Sequence, residues 1–137
     1  MNFSESKIRV RYAETDQMGV VYHANYYIWF EVARADFLRK FGMTYKDMEK
    51  QGVVMPVIET SCRYKLPAMY DDMLTVKAVI KELGLARMVF HYRVTRDEDG
   101  QLLAEGETHH AFTNSEKKPV NMKKVKPELY ELFKRIT

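Results

Sequence analysis

Hydrophobic and polar positions alternate near the start of the chain. Ile8, Val10 and Tyr12 interleave with Lys7, Arg9 and Arg11, which predicts a half-buried strand. Polar residues and Gly19 end that pattern. From Asn25 to Phe41 the period changes: Tyr26, Phe30, Ala33, Phe37 and Phe41 recur at steps of three and four, so they share one face of a predicted helix. Gly42 stands where a helix-terminating glycine belongs. Asp36 precedes Lys40 by four residues, the spacing of a favourable exposed pair. The first half of this helix, "YYIWF", is apolar all round and must be enclosed on more than one side. "MTYKDMEKQG" reads as a short second helix, with Thr44 and Asp47 spaced for capping and Gly52 closing it.

Beyond this point the alternation returns. Ile58, Thr60, Cys62, Tyr64 and Leu66 form one inward set, then Leu74, Val76, Ala78 and Ile80, then Met88, Phe90, Tyr92 and Val94. "PAMYDDM", Gly84 and "DEDG" punctuate these runs as turns. Leu102 to Thr113 predicts a last strand, and "PELYELFKRI" a terminal helix with Pro127 near its first turn. Strands joined by short connections pair antiparallel. One sheet with one long helix as its obvious cover predicts an α+β fold. Small residues at Thr60, Cys62, Gly106 and Thr108 would let that helix approach closely. With 137 residues, no repeat and no linker-like tract, the expectation is a single domain over 1–137.

Composition narrows the classes of function. The net charge of +3 comes from interspersed rather than segregated charges, which does not argue for nucleic acid. The local excess at Lys117, Lys118, Lys123, Lys124 and Lys126 reads as a solvated edge or as a docking patch for something acidic. Cys62 is the only cysteine, so no internal disulfide forms and a reducing, cytoplasmic setting is expected. No apolar run approaches the roughly 20 residues of a membrane helix, and the N-terminus lacks a signal-peptide pattern.

The chemistry concentrates in "RYAETDQMGVVYHANYYIWFE", residues 11 to 31. Asp16 sits in a loop before the main helix. It reads either as a turn residue or as an acid beside the unpaired amide groups of a helix start, which would suit acyl transfer. His23 is a proton carrier or a hydrogen-bonded structural histidine, and Asn25 is the expected helix cap. Tyr22, Tyr26 and Trp29 line an acyl pocket or fill the core. Glu31 reads as a surface partner of Arg34. His109 and His110 are adjacent on a strand and point to opposite faces, so they cannot share a metal. No metal-binding, nucleophile-elbow or phosphate-loop motif is present, and Cys62 reads as core.

The pattern T-D-x-x-G-V-V-Y-H-A-N-Y resembles the signature of hotdog-fold acyl-CoA thioesterases of the 4-hydroxybenzoyl-CoA thioesterase family. It looks closest to the bacterial short-chain branch associated with the Tol-Pal system. "YDDMLTVKAVIKELG" and "AEGETHHAF" are similar to the later strands of that family. The resemblance implies an antiparallel sheet of five or six strands wrapped around the long helix. It also implies homodimers joined edge to edge, paired into tetramers, with active sites at the subunit interface. By position, Asp16 matches the family's carboxylate, acting as nucleophile or general base. His23 matches the position whose backbone N–H polarises the thioester carbonyl, and its ring is a further candidate. Tyr22 and Asn25 match positions that shape the site. Arg63 and Arg87 are substrate-binding candidates for phosphate contact, joined by Lys65 and Lys118. "GLAR" carries only Arg87 where the hydroxybenzoyl-specific enzymes have a basic cluster, so acyl carrier protein stands beside coenzyme A as donor. No metal or cofactor is implied, coenzyme A being part of the substrate. The rival expectations are a non-catalytic acyl-CoA-binding or regulatory hotdog protein, and a hotdog hydratase or dehydratase.

Overall fold

The computed structural model describes residues 2–137. In chain order the elements are β1 (Ser4–Arg9), α1 (Asn25–Lys40), α2 (Tyr45–Lys50), β2 (Val57–Tyr64), β3 (Met73–Leu83), β4 (Arg87–Arg96), β5 (Leu102–Ala111), α3 (Met122–Val125) and α4 (Pro127–Arg135). The strands form one antiparallel sheet of five, ordered β1-β3-β4-β5-β2. Hairpin connections put β3, β4 and β5 side by side at the centre. The helical segment between β1 and β2 carries the chain across the sheet, so those two strands become opposite edges.

β1 lies earlier than hydropathy alternation predicts. Its inward positions are Ser4 and Ser6, both buried although polar, so no apolar signal marks them. Ser6 Oγ donates to Asp36 Oδ2 at 2.6 Å, tying this edge to α1. Tyr12, expected in the strand, lies instead in the exposed 3₁₀ turn Tyr12–Glu14. The predicted Asp36–Lys40 pair is absent because both partners find other company. Asp36 takes Ser6 and Arg39, and Lys40 donates to the Phe3 carbonyl at 2.6 Å and lies over the Phe3 ring. The Thr44 cap forms as expected, accepting from Asp47 N at 3.1 Å.

α1 lays Tyr26, Trp29, Phe30, Ala33 and Phe37 on the sheet. Phe30 stacks on Tyr92 with ring centroids 4.3 Å apart and 5° between planes, and Phe37 meets Phe90 edge-on at 5.5 Å. This flat seat exists because Gly106 lies under Phe30. A Cβ added at Gly106 would fall 2.5 Å from the Phe30 ring and 2.6 Å from the Ser61 carbonyl. The other side of α1 is open in this chain: Ile28 is 53% and Val32 39% exposed. The enclosure on more than one side that "YYIWF" demands is therefore incomplete. β2 is likewise exposed along nearly its whole length. No helix among the described residues is long and apolar enough to cross a membrane.

A buried polar chain runs beneath the helices. His110 Nδ1 lies 3.1 Å from the Met55 carbonyl and its Nε2 2.8 Å from Thr108 Oγ1, which is 2.7 Å from the Tyr92 hydroxyl. The arrangement suits a neutral imidazole donating from Nδ1 to the carbonyl and accepting from Thr108 at Nε2. Burial, with the nearby Arg34 and His109 charges, pushes His110 down from 6.5 to about 4 in spite of the bond to Met55.

Two outcomes are expected. Gly106→Ala overpacks the Phe30 seat and destabilises by about 1–3 kcal/mol, read as a lower denaturation midpoint. Because the unfolded histidine protonates before the folded one, stability falls as pH drops from 6.5 towards 4, by on the order of 3 kcal/mol in total. Chemical denaturation across pH 7 to 5 should show this slope, and His110→Asn should flatten it. Parallel curves for the two proteins would contradict the assignment.

Candidate active site

The approach to α1 is a narrow loop. Thr15 and Val21 form an antiparallel bridge. Asp16 N donates to the Val20 carbonyl at 2.9 Å, and Gly19 N donates back to the Asp16 carbonyl at 3.0 Å. Gly19 closes the turn at φ 80°, a conformation that glycine alone adopts without cost. The far strand of the loop is pinned by Val21 N donating to the Ala68 carbonyl at 2.9 Å. Asp16 is half-buried. Its Oδ1 accepts from Met18 N at 2.8 Å, which fixes the carboxylate's orientation and engages only one of its two oxygens.

Asn25 does not cap α1. The cap position is Ala24, in helical geometry at φ −65°, ψ −22°, and no side chain caps the helix. Asn25 Nδ2 instead reaches back to the Glu14 carbonyl at 2.8 Å, so its polar group is engaged with the loop. The first helical amides, those of Asn25, Tyr26 and Tyr27, donate to the Tyr22, His23 and Ala24 carbonyls, while the N–H groups just before them, of His23 and Ala24, have no acceptor among the described residues. They lie at the positive end of the 16-residue α1 dipole.

Asp16, His23, Tyr26 and Tyr64 line one cleft of about 290 Å³, with Lys65 beside them. Tyr64 Oη donates to the His23 carbonyl at 3.0 Å. Burial, then the neighbouring Cys62, raises this phenol above its ordinary range, so it stays a neutral donor. The His23 ring is exposed and lies against Tyr22 and Tyr64, with centroids 4.5 and 6.1 Å away. A fixed carboxylate at one cleft with His23, whose free amide has that of Ala24 next along the chain, is the pairing that acyl transfer needs: an attacking or water-activating group, and donors for the developing oxyanion. Other hollows are as large or larger. One of about 360 Å³ lies against α2, and one of about 620 Å³ lies at Leu83–Val89. Neither includes such a pair, so volume is not the guide to chemistry.

The other expected residues are dispersed. Tyr22 is 49% exposed and lies outside the cleft. Arg63 lines a hollow with His91, Glu105 and Glu107, on the face of the sheet turned away from α1, as the neighbouring Cys62–Gly106 pair faces Phe30. Arg87 opens β4 beside Gly84 and His109. Within one chain neither arginine reaches Asp16. Lys118 pairs with Glu116 at 3.8 Å on the surface. Glu31 does not pair with Arg34, whose Nη1 turns to the Tyr92 hydroxyl at 3.5 Å. His109 and His110 do point to opposite faces, His110 inward and His109 towards Glu59 and Glu107. Burial raises the Cys62 thiol, as a core position would. No cluster of metal-ligating side chains occurs among the described residues.

Sequence reasoning missed Glu14. Its carboxylate is buried, at 5% exposure, and accepts from Arg11 N at 2.8 Å and Trp29 Nε1 at 2.9 Å. Burial acts to raise its pKa, but the bonds from Arg11 and Trp29 outweigh it and hold the carboxyl below the usual range. The only signal in the sequence was indirect: a buried tryptophan must find an acceptor for its N–H.

Comparison with known proteins gives one result at every level. The model of the Thioesterase-like superfamily matches residues 10–133. A putative acyl-CoA thioesterase of Bacillus subtilis, YneP, is 36% identical over 136 residues, 98% of each chain. The acyl-CoA thioester hydrolase YbgC of Escherichia coli is 35% identical over 100 residues, 73% of this chain and 74% of its own. The crystal structure of a DHNA-CoA thioesterase from Staphylococcus aureus superposes with a TM-score of 0.93 at 36% identity, covering 99% of this chain and 91% of the other.

Proposed function

This chain belongs to the thioesterase-like superfamily, with its hotdog fold, and from that premise we propose that it hydrolyses an acyl-CoA thioester through Asp16 and the N–H groups of His23 and Ala24 just before α1. Thioester hydrolysis itself is the activity named for its relatives across nearly the full length. The observation that carries the residue assignment is that Asp16 and His23 line one cleft, with the N–H groups of His23 and the adjoining Ala24 unpartnered among the described residues.

The chemistry follows from that geometry. The thioester oxygen sits on the two amides, which polarise the carbonyl and hold the negative charge as the carbon becomes tetrahedral. Asp16 either attacks the carbon, forming a mixed anhydride that water then opens, or takes a proton from the attacking water. In both routes the C–S bond breaks, the sulfur leaves with the electron pair and is protonated to the thiol, and the acyl group departs as the acid. Tyr64 holds the His23 peptide in place through its carbonyl, and the exposed His23 ring is placed to exchange protons at the mouth.

The reading extends to assembly. β2 presents an unpaired edge carrying the exposed Val57 and Ile58, and α1 leaves Ile28 and Val32 uncovered on the same side of the sheet as the site. An open strand edge next to an open apolar helix face is a liability for a lone chain. We read it as the seam of a homodimer that continues the sheet through β2, from which a tetramer is built by pairing dimers. The donor is acyl-CoA or acyl carrier protein. The lysines at 117, 118, 123, 124 and 126, four of them exposed, suit the acidic surface of the latter. The lone cysteine fits a cytoplasmic setting.

Asp16→Asn should fold and assemble like the parent. It should lose about 10²–10⁴-fold in kcat/KM on acyl-CoA, with released thiol as the readout. Equal turnover would remove Asp16 from its role. Tight acyl-CoA binding with no hydrolysis of any chain length by the parent protein would make it a binder.

A further inference from the structure

We propose that Glu14 is the positioning residue for Asp16, an inference that rests on Asp16 acting on a thioester. The two acids stand two residues apart in one loop, and their side chains do opposite things. Asp16 lines the cleft, whereas Glu14 is buried against α1.

Glu14 ties together four points of the site at once. Its Oε1 accepts from Arg11 N at 2.8 Å, with the Arg11 Nε 3.5 Å away, which fixes where the loop leaves β1. Its Oε2 accepts from Trp29 Nε1 at 2.9 Å, and Trp29 is 2% exposed, wedged in the core on the second turn of α1. Its backbone carbonyl accepts from Tyr22 N and from Asn25 Nδ2, both at 2.8 Å, which fixes where the loop rejoins the helix. The loop that carries Asp16 is thereby clamped to the helix that directly follows the free N–H groups of His23 and Ala24. The loop's own bonds, the Thr15–Val21 bridge and Val21 N to the Ala68 carbonyl, hold its shape and its far strand; the Glu14 carboxylate adds the direct tie to Trp29 of α1.

A carboxylate is an expensive choice for a purely structural clamp. Burying it costs desolvation that apolar residues of similar size avoid, and the position would tolerate them if packing were the only demand. A carboxylate does what they cannot: it accepts from two donors on two elements in fixed directions, and sets a distance rather than a contact. Misplacing a reacting group by about 1 Å costs on the order of 10²-fold in rate, which is the scale at which such precision matters. Asn25 belongs to the same device. Its side-chain Nδ2 donates to the Glu14 carbonyl and ties the first residue of α1 to the loop.

The test is steady-state kinetics on acyl-CoA with Glu14→Gln, Glu14→Ala and Asp16→Asn, alone and combined. Glu14→Ala should lower kcat about 10–100-fold with KM within about threefold, since the cleft's binding surface is intact. Glu14→Gln keeps the volume and one acceptor but sets its amide against the other donor, so it should recover part of the loss. In the Asp16→Asn background Glu14→Ala should leave the residual rate within about twofold, because nothing remains to be positioned. A rise in KM at unchanged kcat, or losses that multiply in the double variant, would overturn the proposal. Asp16→Asn as active as the parent would instead overturn the Asp16 reading beneath it. Amide hydrogen exchange at Asp16 and Tyr22 gives a readout independent of turnover. It should quicken in Glu14→Gln while exchange in β3 and β4 is unchanged, and unchanged exchange at both residues would count against the clamp.

Discussion

The structure turns on a helix that begins without a cap. The first amides of an α-helix need acceptors, and side chains commonly supply them at modest cost. Here Asn25, the residue expected to cap, directs its side chain to the Glu14 carbonyl, and the first helical amides are met by the carbonyls of Tyr22, His23 and Ala24. The N–H groups just before the helix, of His23 and Ala24, have no acceptor among the described residues, and His23 lines the cleft that also holds Asp16. In the proposed reaction these two groups would receive the thioester oxygen, which would reserve binding energy for the atom that becomes negative and lower the barrier rather than only the dissociation constant.

That arrangement depends on the position of α1 being fixed along its length. Phe30 lies flat on Tyr92 because Gly106 leaves room beneath it. Ser6 and Phe3 hold the far end through Asp36 and Lys40. The Glu14–Trp29 bond holds the near end to the loop. The sheet acts as a rigid floor, the helix as a pointer resting on it, and the loop as an arm hung from the pointer's first two turns. The acid and the amides therefore share one frame of reference, which independent loops would not give them.

Much of this was legible in the sequence, and the rest failed for identifiable reasons. Period-two and period-3.6 patterns located α1 and the later strands, most clearly β3 and β4, whose inward positions are apolar, and the capping residues Thr44 and Gly52 located α2. β1 was displaced, since its inward positions are the small polar Ser4 and Ser6, whose burial is set by a helix 30 residues away. Asp16 and His23 were found by their motif and do share a cleft. Asn25 was identified as a functional position but given the wrong bond, as the choice between capping and reaching back depends on tertiary geometry. Arg63 and Arg87 were expected to contact substrate phosphate, Arg87 as the one basic residue of the stretch that matches the family's basic cluster. The pleat carries Arg63 to the opposite face of the sheet, and Arg87 lies at another end of it. Glu14 escaped notice because a loop acid beside a more conspicuous acid reads as solvated, and its partner Trp29 lies 15 residues on.

The most direct test is a crystal structure of the Asp16→Asn protein with an acyl-CoA bound. The account predicts the thioester oxygen about 2.7–3.1 Å from both His23 N and Ala24 N, with the carbonyl carbon facing the side chain at position 16. A thioester bound away from the start of α1, or held with its oxygen turned from those amides, would contradict it.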